Sequence, residues 1–319
     1  MSGSFPEVLG VTLPVFLLVG LGVFLRRSGF LPESGESSLM RVIVTVFYPA
    51  LILEVVGPAR VVENPGIVAL SATVGFLSIV VGFAVAWWVA PGFRLAVGSG
   101  RRTFAFSNGV YNFGYLPIPL VIAFFGSTDG TLAILFIHNV GVDLAFWSVG
   151  VLILQGTFNR AGFRRVVNPP LVALVAALVL NYTGLYAWLP DFVRAFLAYL
   201  ADIAVPLGII LAGCSIGGLL RADAFRTGWE IVRGACLLRL GLLPLVFLGA
   251  ALVFPFPTEL QRVIAIQAAM PAGLFPVVVT RFYGGRADIA VRVAVGTLVL
   301  SVLTTPLWIR FGAFLLGEK

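Results

Sequence analysis

"NFGYLPIPL", residues 112–120, lies inside a run that otherwise reads as a membrane-spanning helix. Pro117 and Pro119 have no backbone N–H to donate, Gly114 adds backbone freedom, and Asn112 brings an amide that must be satisfied. In hydrocarbon an unpaired backbone group costs several kcal/mol, so a break like this survives only where protein or a water-filled cavity satisfies it. The stretch therefore marks either a packed kink or a site.

The run also has a counterpart. Residues 108–126, "NGVYNFGYLPIPLVIAFFG", lie without a gap on 267–285, "QAAMPAGLFPVVVTRFYGG". Gly114 then falls on Gly273, Pro117 on Pro276 and Gly126 on Gly285; beyond them Asp129 falls on Asp288. Earlier echoes agree. "YPALIL" (48–53) matches "VPLGII" (205–210), pairing Pro49 with Pro206, and "TLPVF" near Pro14 and "NPPLV" near Pro170 open each half. One Gly/Pro-rich segment is ordinary in a membrane helix. Two at corresponding positions of two halves point to the binding site of a transporter.

Composition fixes the class. The chain has 319 residues, 60% hydrophobic and 11% charged, with a mean hydropathy of +1.05. Soluble domains carry about 25% charged residues. At roughly 20 residues per crossing, apolar runs lie near 5–25, 38–57, 66–90, 103–125, 130–155, 169–189, 193–219, 230–254, 259–283 and 288–315. The expected fold is an all-α polytopic membrane protein of ten transmembrane helices. They form two inverted five-helix repeats, with helices 4 and 9 broken. Residues 1–155 form the first repeat, 156–168 a short basic cytoplasmic linker, and 169–319 the second. Five is odd, so the second repeat enters from the opposite side. Residues 5–27 read as a span rather than a secretory signal, because Arg26 and Arg27 follow the apolar run.

Charge sets the orientation. One set of alternate loops and edges holds Arg26, Arg27, Arg41, Arg94, Arg101, Arg102, Arg160, Arg164, Arg165, Arg221, Arg226, Arg233, Arg281, Arg286 and Arg292. The other holds Arg60, Arg194, Arg262, Arg310 and Lys319. This bias places the first set in the cytoplasm and both termini outside a cell (inner or plasma) membrane. The net charge of +7 is thus topological; without a basic face it implies no nucleic-acid partner. The partners expected are the lipid bilayer, a small organic anion and, left open, a second copy of the chain.

Unwinding a helix exposes N–H groups on one side of the break, which suit a carboxylate, and carbonyls on the other, which suit a cation or donor. Asn112 can hold the ligand or bridge the two broken backbones. Phe113, Gly114, Pro271, Ala272 and Gly273 complete the expected substrate site, with Pro117, Pro119 and Pro276 as the breaks. Tyr48 and Leu51 of the second span stand beside them, with Pro49 and Pro206 as packing. Gln267 heads the second broken segment as a ligand or ion contact. Ionisable residues inside spans are functional hypotheses by default. Asp202, Glu54 and His138 are the candidates for coupling to H+ or Na+, and Asp143 shares the fifth span with His138. The alternative for the acids is a buried ion pair with Arg239 or another inward arginine; Arg239 could also be the counter-charge of an anion. No other cofactor, no metal site and no enzyme chemistry is expected. Cys214 and Cys236 read as small apolar residues. "GCSIG" (213–217) fits G-x-S-x-G, but at the end of a span it reads as a small-residue packing face rather than a nucleophile elbow.

At these residues the chain resembles the auxin efflux carrier family. "NFGYLPIPLVIAFFG" is similar to that family's fourth span, which in bacterial members reads approximately N-x-G-y-x-G-x-P-L. "QAAMPAGLFPVVVTRFYGG" followed by "LTTPLW" (303–308) is similar to its ninth and tenth spans; "FYPALIL" (47–53) and Asn168–Pro169 also fit. The resemblance runs the whole chain in order. It implies ten spans in two inverted repeats, a fold shared with the bile-acid sodium symporters. Spans four and nine would be unwound and cross at mid-membrane, with a scaffold part moving against a transport part. The substrates it implies are small organic anions: auxin in plants, and dicarboxylates such as malonate or malate for some bacterial members. Asn112 matches the crossover asparagine that contacts substrate in plant carriers. Ala272 stands where the plant pattern has Gln, Pro170 replaces a polar position, and a short stretch around Arg160–Arg165 replaces the long plant loop. The resemblance therefore does not carry indole acetate over as the substrate. Alternatives are a sodium-coupled organic anion symporter of bile-acid type and an anion receptor that does not transport.

Overall fold

The computed structural model describes residues 5–157, 167–219 and 228–317, and every regular element among them is helical. In chain order the helices are α1 (Phe5–Arg27), α2 (Glu33–Val56), α3 (Pro65–Val89), α4 (Arg101–Gly109), α5 (Pro117–Phe125) and α6 (Thr131–Gln155). They continue as α7 (Pro169–Tyr182), α8 (Asp191–Leu219), α9 (Trp229–Val253), α10 (Thr258–Ala268), α11 (Phe275–Phe282) and α12 (Ala287–Leu315). Seven of them, α1, α2, α3, α6, α8, α9 and α12, are long and apolar enough to cross a membrane. This is a polytopic membrane protein. The linker expected over 156–168, with Arg160, Arg164 and Arg165, lies almost wholly outside the described residues, as do Arg221, Arg226 and Lys319.

The other three expected spans are not single long helices. The fourth is α4 and α5 with residues 110–116 between them, and the ninth is α10 and α11 with 269–274 between them. The sixth, expected over 169–189, stops as a helix at Tyr182 after 14 residues. There the chain turns through Gly184, at φ +71°, into a 3-10 turn over Leu185–Trp188. The Asn181 amide donates to the carbonyls of Gly57 and Ala59 at 2.9 and 3.1 Å, fastening the end of α7 to the end of α2.

Proline shapes two of the long helices. α2 opens into a π-turn over Ile43–Phe47 just before Pro49, and α9 does so over Leu238–Leu242 just before Pro244. Pro244 cannot donate to the carbonyl of Leu240, four residues back. The Trp308 indole N–H of α12 takes that carbonyl instead, at 2.6 Å.

The helices pack in two groups. α1 lies along α8, and α2 packs on both α7 and α8. The second group is built on α3 against α4 and α6, and on α9 against α10 and α12. Glycines set the closest crossings. A Cβ on Gly213 of α8 would meet the Val19 carbonyl oxygen and stand 2.9 Å from the Cα of Gly22 in α1. "GCSIG" is therefore a packing face. Its Ser215 hydroxyl donates to Glu36 at 2.5 Å, and that carboxylate also lies 3.8 Å from Arg26. Ser215→Ala is expected to cost about 1 kcal/mol and to leave ligand binding and transport at the parent level. A parallel thermal melt and uptake assay checks this, and loss of activity in a folded variant would restore the nucleophile reading.

Candidate functional site

The two breaks meet. Tyr111 and Ala272 form an isolated antiparallel bridge, in which the Asn112 N–H donates to the Pro271 carbonyl and the Gly273 N–H to the Val110 carbonyl, each at 2.8 Å. In this ladder Asn112 stands directly opposite Pro271, the residue onto which the internal repeat lays it. Proline has no N–H to return the bond. The Asn112 carbonyl accordingly takes no donor among the described residues.

Both breaks are ordered by side chains from elsewhere. The Phe113 carbonyl accepts from Asn139 of α6 at 2.8 Å and from Gln267 of α10 at 3.4 Å; the same Gln267 amide donates to the Asn139 oxygen at 3.1 Å. Ala272 N–H donates to the Thr297 hydroxyl at 3.1 Å, and the Ala269 carbonyl accepts from Thr305 at 3.0 Å. The end of α10 is held by Arg239, which is fully buried in the π-turn of α9. Its guanidinium donates to the carbonyls of Met270 at 3.0 Å and of Gln267 and Ala268 at 3.3 Å. It also lies over the rings of Tyr111, 5.1 Å away, and Phe247, 5.5 Å away. Arg239 thus caps the negative end of a helix dipole. The ion pair with Asp202 or Glu54 weighed from the sequence is not made.

The prolines open the second helix of each pair rather than filling the gap. Pro117 is the first residue of α5, Pro119 the third, and Pro276 the second residue of α11. At these positions the missing N–H would have had no helical partner anyway. Among the described residues the N–H groups of Phe113, Gly114, Tyr115, Leu274 and Phe275 donate to no protein acceptor. Two helix N-termini and two helix C-termini converge here.

A cavity of about 240 Å³ adjoins the bridge. One wall comes from the first helix group, with Val44, Tyr48 and Ile52 of α2 and Pro170, Leu171 and Leu174 of α7. The other comes from both breaks and from Phe136, Asn139, Val140 and Asp143 of α6. Of the residues expected at the site, Tyr48, Asn112, Phe113, Gly114, Gly273 and Pro276 line it. Leu51, Pro271, Ala272, Pro117 and Pro119 are not part of its lining. Gln267 and His138 instead line a second, mostly apolar cavity of about 210 Å³ on the far side of Tyr111. Asp202 is exposed on α8 and Glu54 half-buried on α2; neither lines either cavity.

The comparisons with known proteins meet this geometry. The family model described as Membrane transport protein matches residues 8–309, nearly the whole chain. The chain belongs to the auxin efflux carrier family. It is 29% identical to an uncharacterized transporter of Methanothermobacter thermautotrophicus over 310 residues, covering 93% of this chain and 95% of that protein. It is 23% identical to an uncharacterized transporter of Methanocaldococcus jannaschii over 315 residues, covering 94% and 97%. For an auxin efflux carrier, the departures read from the sequence now have places. Pro170 is part of the cavity wall, and Ala272 is buried with its N–H on Thr297. The sequence reading passed over Asn139, the clamp on Phe113, although a polar residue one turn before Asp143 in an apolar helix is a readable signal.

Proposed function

We propose that this auxin efflux carrier is a secondary transporter that binds a small organic anion, a carboxylate, where the two broken helices meet. In this reading α4/α5 and α10/α11 are the crossed broken helices of two inverted five-span repeats in the cell membrane. The group built on α3–α6 and α9–α12 moves, elevator-like, against α1, α2, α7 and α8. The observation that carries it is the cavity between the two groups, bordered by the N–H groups of Phe113, Gly114 and Tyr115 that no protein acceptor takes. These N–H groups lie in the irregular stretch just ahead of α5, on the side of its N-terminus, where a helix dipole favours negative charge. Arg239 compensates the opposite, negative end of α10. The helix end that would oppose an anion is thereby neutralised.

Asn112 is the first residue to change. Its side-chain oxygen accepts from Leu116 N–H at 3.4 Å, a long bond, and it is 5% exposed at the cavity wall. In a thermal-stability screen against mono- and dicarboxylates, a bound acid raises the melting temperature in proportion to its preference for the folded state. The parent protein is expected to be stabilised by at least one acid. Asn112→Ala is expected to keep a monodisperse gel-filtration peak and lose that shift; a retained shift would move the site away from the breaks. Counterflow in proteoliposomes then separates carrier from receptor, because no exchange of a bound acid would sink transport. A shift that needs sodium would turn the reading toward a sodium-coupled symporter.

A further inference from the structure

We propose that Asp143 is a cation subsite of this cavity, and that the carried carboxylate bears a protonated amine on an apolar body. The proposal rests on the carboxylate reading above and extends it. Among the described residues lining the cavity there is no lysine, arginine or histidine, and Asp143 is the one acidic side chain. It lies one helical turn after Asn139 on α6, and residues four apart on a helix face hold their Cβ atoms about 5–6 Å apart. Asn139 clamps the carbonyl of Phe113, the first of the three residues whose N–H groups are unclaimed. Asp143 thus lines the same cavity as the three N–H residues, one helical turn along α6 from the Asn139 that holds the first of them. An α-amino acid holds its carboxylate and its ammonium on one carbon, a separation that suits this gap.

The neighbours of Asp143 leave room for that partner. Asn168 caps α7, its side-chain oxygen accepting from the Leu171 N–H at 2.9 Å. Among the described residues its amide N–H₂ is the one protein group that interacts with the Asp143 carboxylate. One neutral amide does not balance a carboxylate in an apolar cavity, where an unpaired charge is costly. A ligand ammonium balances it. Phe113, Phe136 and Tyr48 offer an apolar wall for the ligand body and aromatic faces that favour a cation. The same carboxylate repels a second ligand carboxylate, so dicarboxylates are disfavoured.

The test uses the purified full-length protein and ligand pairs that differ only by the ammonium. Each apolar L-amino acid is compared with its deamino carboxylic acid by thermal shift and by competition. At least one amino acid is expected to bind about tenfold or more tighter than its deamino partner, the scale of a buried charge pair. Asp143→Asn is expected to reverse that preference, losing the amino acid and gaining the deamino acid. Deamino acids that bind as well as amino acids, with no change in Asp143→Asn, would overturn the subsite and leave the carboxylate reading standing. No binding by any carboxylate, including dicarboxylates, would overturn both. Should Asp143→Asn fail to fold, the preference of the parent protein and the milder Asp143→Glu decide between the same outcomes.

Discussion

Gly141→Val is expected to leave no folded, monodisperse protein after extraction from the membrane. Gly141 of α6 and Gly75 of α3 face each other at the crossing of the two helices. A Cβ on Gly141 would fall on the carbonyl oxygen of Ala72 and 2.6 Å from the backbone nitrogen of Phe76. One on Gly75 would fall on the carbonyl of His138. These obstacles are backbone, which cannot rotate away as a long side chain does. Overpacking a core usually costs about 1–3 kcal/mol and occasionally more; here the obstacles are backbone and α3 must separate from α6 over its whole contact, so the cost lies beyond that range and reaches the scale of the native stability. Native stability is about 5–15 kcal/mol, and the same shift would pull Asn139 off the Phe113 carbonyl. Fluorescence-detected gel filtration of the extracted protein reads the outcome. Gly249→Ala in α9, where nothing lies within 4 Å of the added carbon, is the matched control and should elute like the parent. A parent-like melting temperature for Gly141→Val would mean that α3 and α6 do not cross so closely.

The two breaks were legible because lipid punishes an unpaired backbone group. Prolines at 117, 119 and 276 inside apolar runs therefore had to mean something, and a shared register doubled the signal. Their role within the break was less legible. A proline reads as a helix breaker, yet at the first turn it starts a helix, and the irregular residues here precede it. The depth of Asn112 and its place opposite Pro271 follow from that register. The pairing that omits Gln267 from the first cavity does not, because rotation about a helix axis by one residue moves a side chain about 100°. Gln267 and Asn112 thus belong to related segments but border different cavities. Asp202 and Glu54 drew notice as charges in apolar runs, while Asp143, on the cavity wall, was one more among them. Periodicity is weak in helices that are apolar all round, so it did not tell an inward acid from an outward one.

Arg239 shows the same limit in a single residue, and its replacement is expected to be the most damaging polar change in the protein. From the sequence it lies between leucine pairs with no sign of its direction. In the fold its guanidinium serves three carbonyls at the end of α10 and covers Tyr111, whose hydroxyl is 2.8 Å from Ser78 of α3. Arg239→Met keeps most of the volume and removes the donors. The buried carbonyls of Met270 and Ala268 then lose their partner at about 1–3 kcal/mol each, while that of Gln267 keeps the Met270 N–H, an expected loss of about 2 kcal/mol or more. Part of this is returned because a buried charge no longer has to be desolvated. The net is still destabilising, since the charge goes but the carbonyls stay. Arg239→Lys should recover only part of the loss, because one ammonium cannot reach Met270, Gln267 and Ala268 together while stacking on a ring. Melting temperatures are expected in the order parent, Arg239→Lys, Arg239→Met, with several degrees between the first and the last. A second readout separates the cap from a direct ligand contact. If Arg239 acts by capping, the acid-induced stabilisation in Arg239→Lys falls in step with the loss of stability of the apo protein. If it were the counter-charge of the anion, Arg239→Lys would keep the binding and Arg239→Met would lose it with little change in the apo melt.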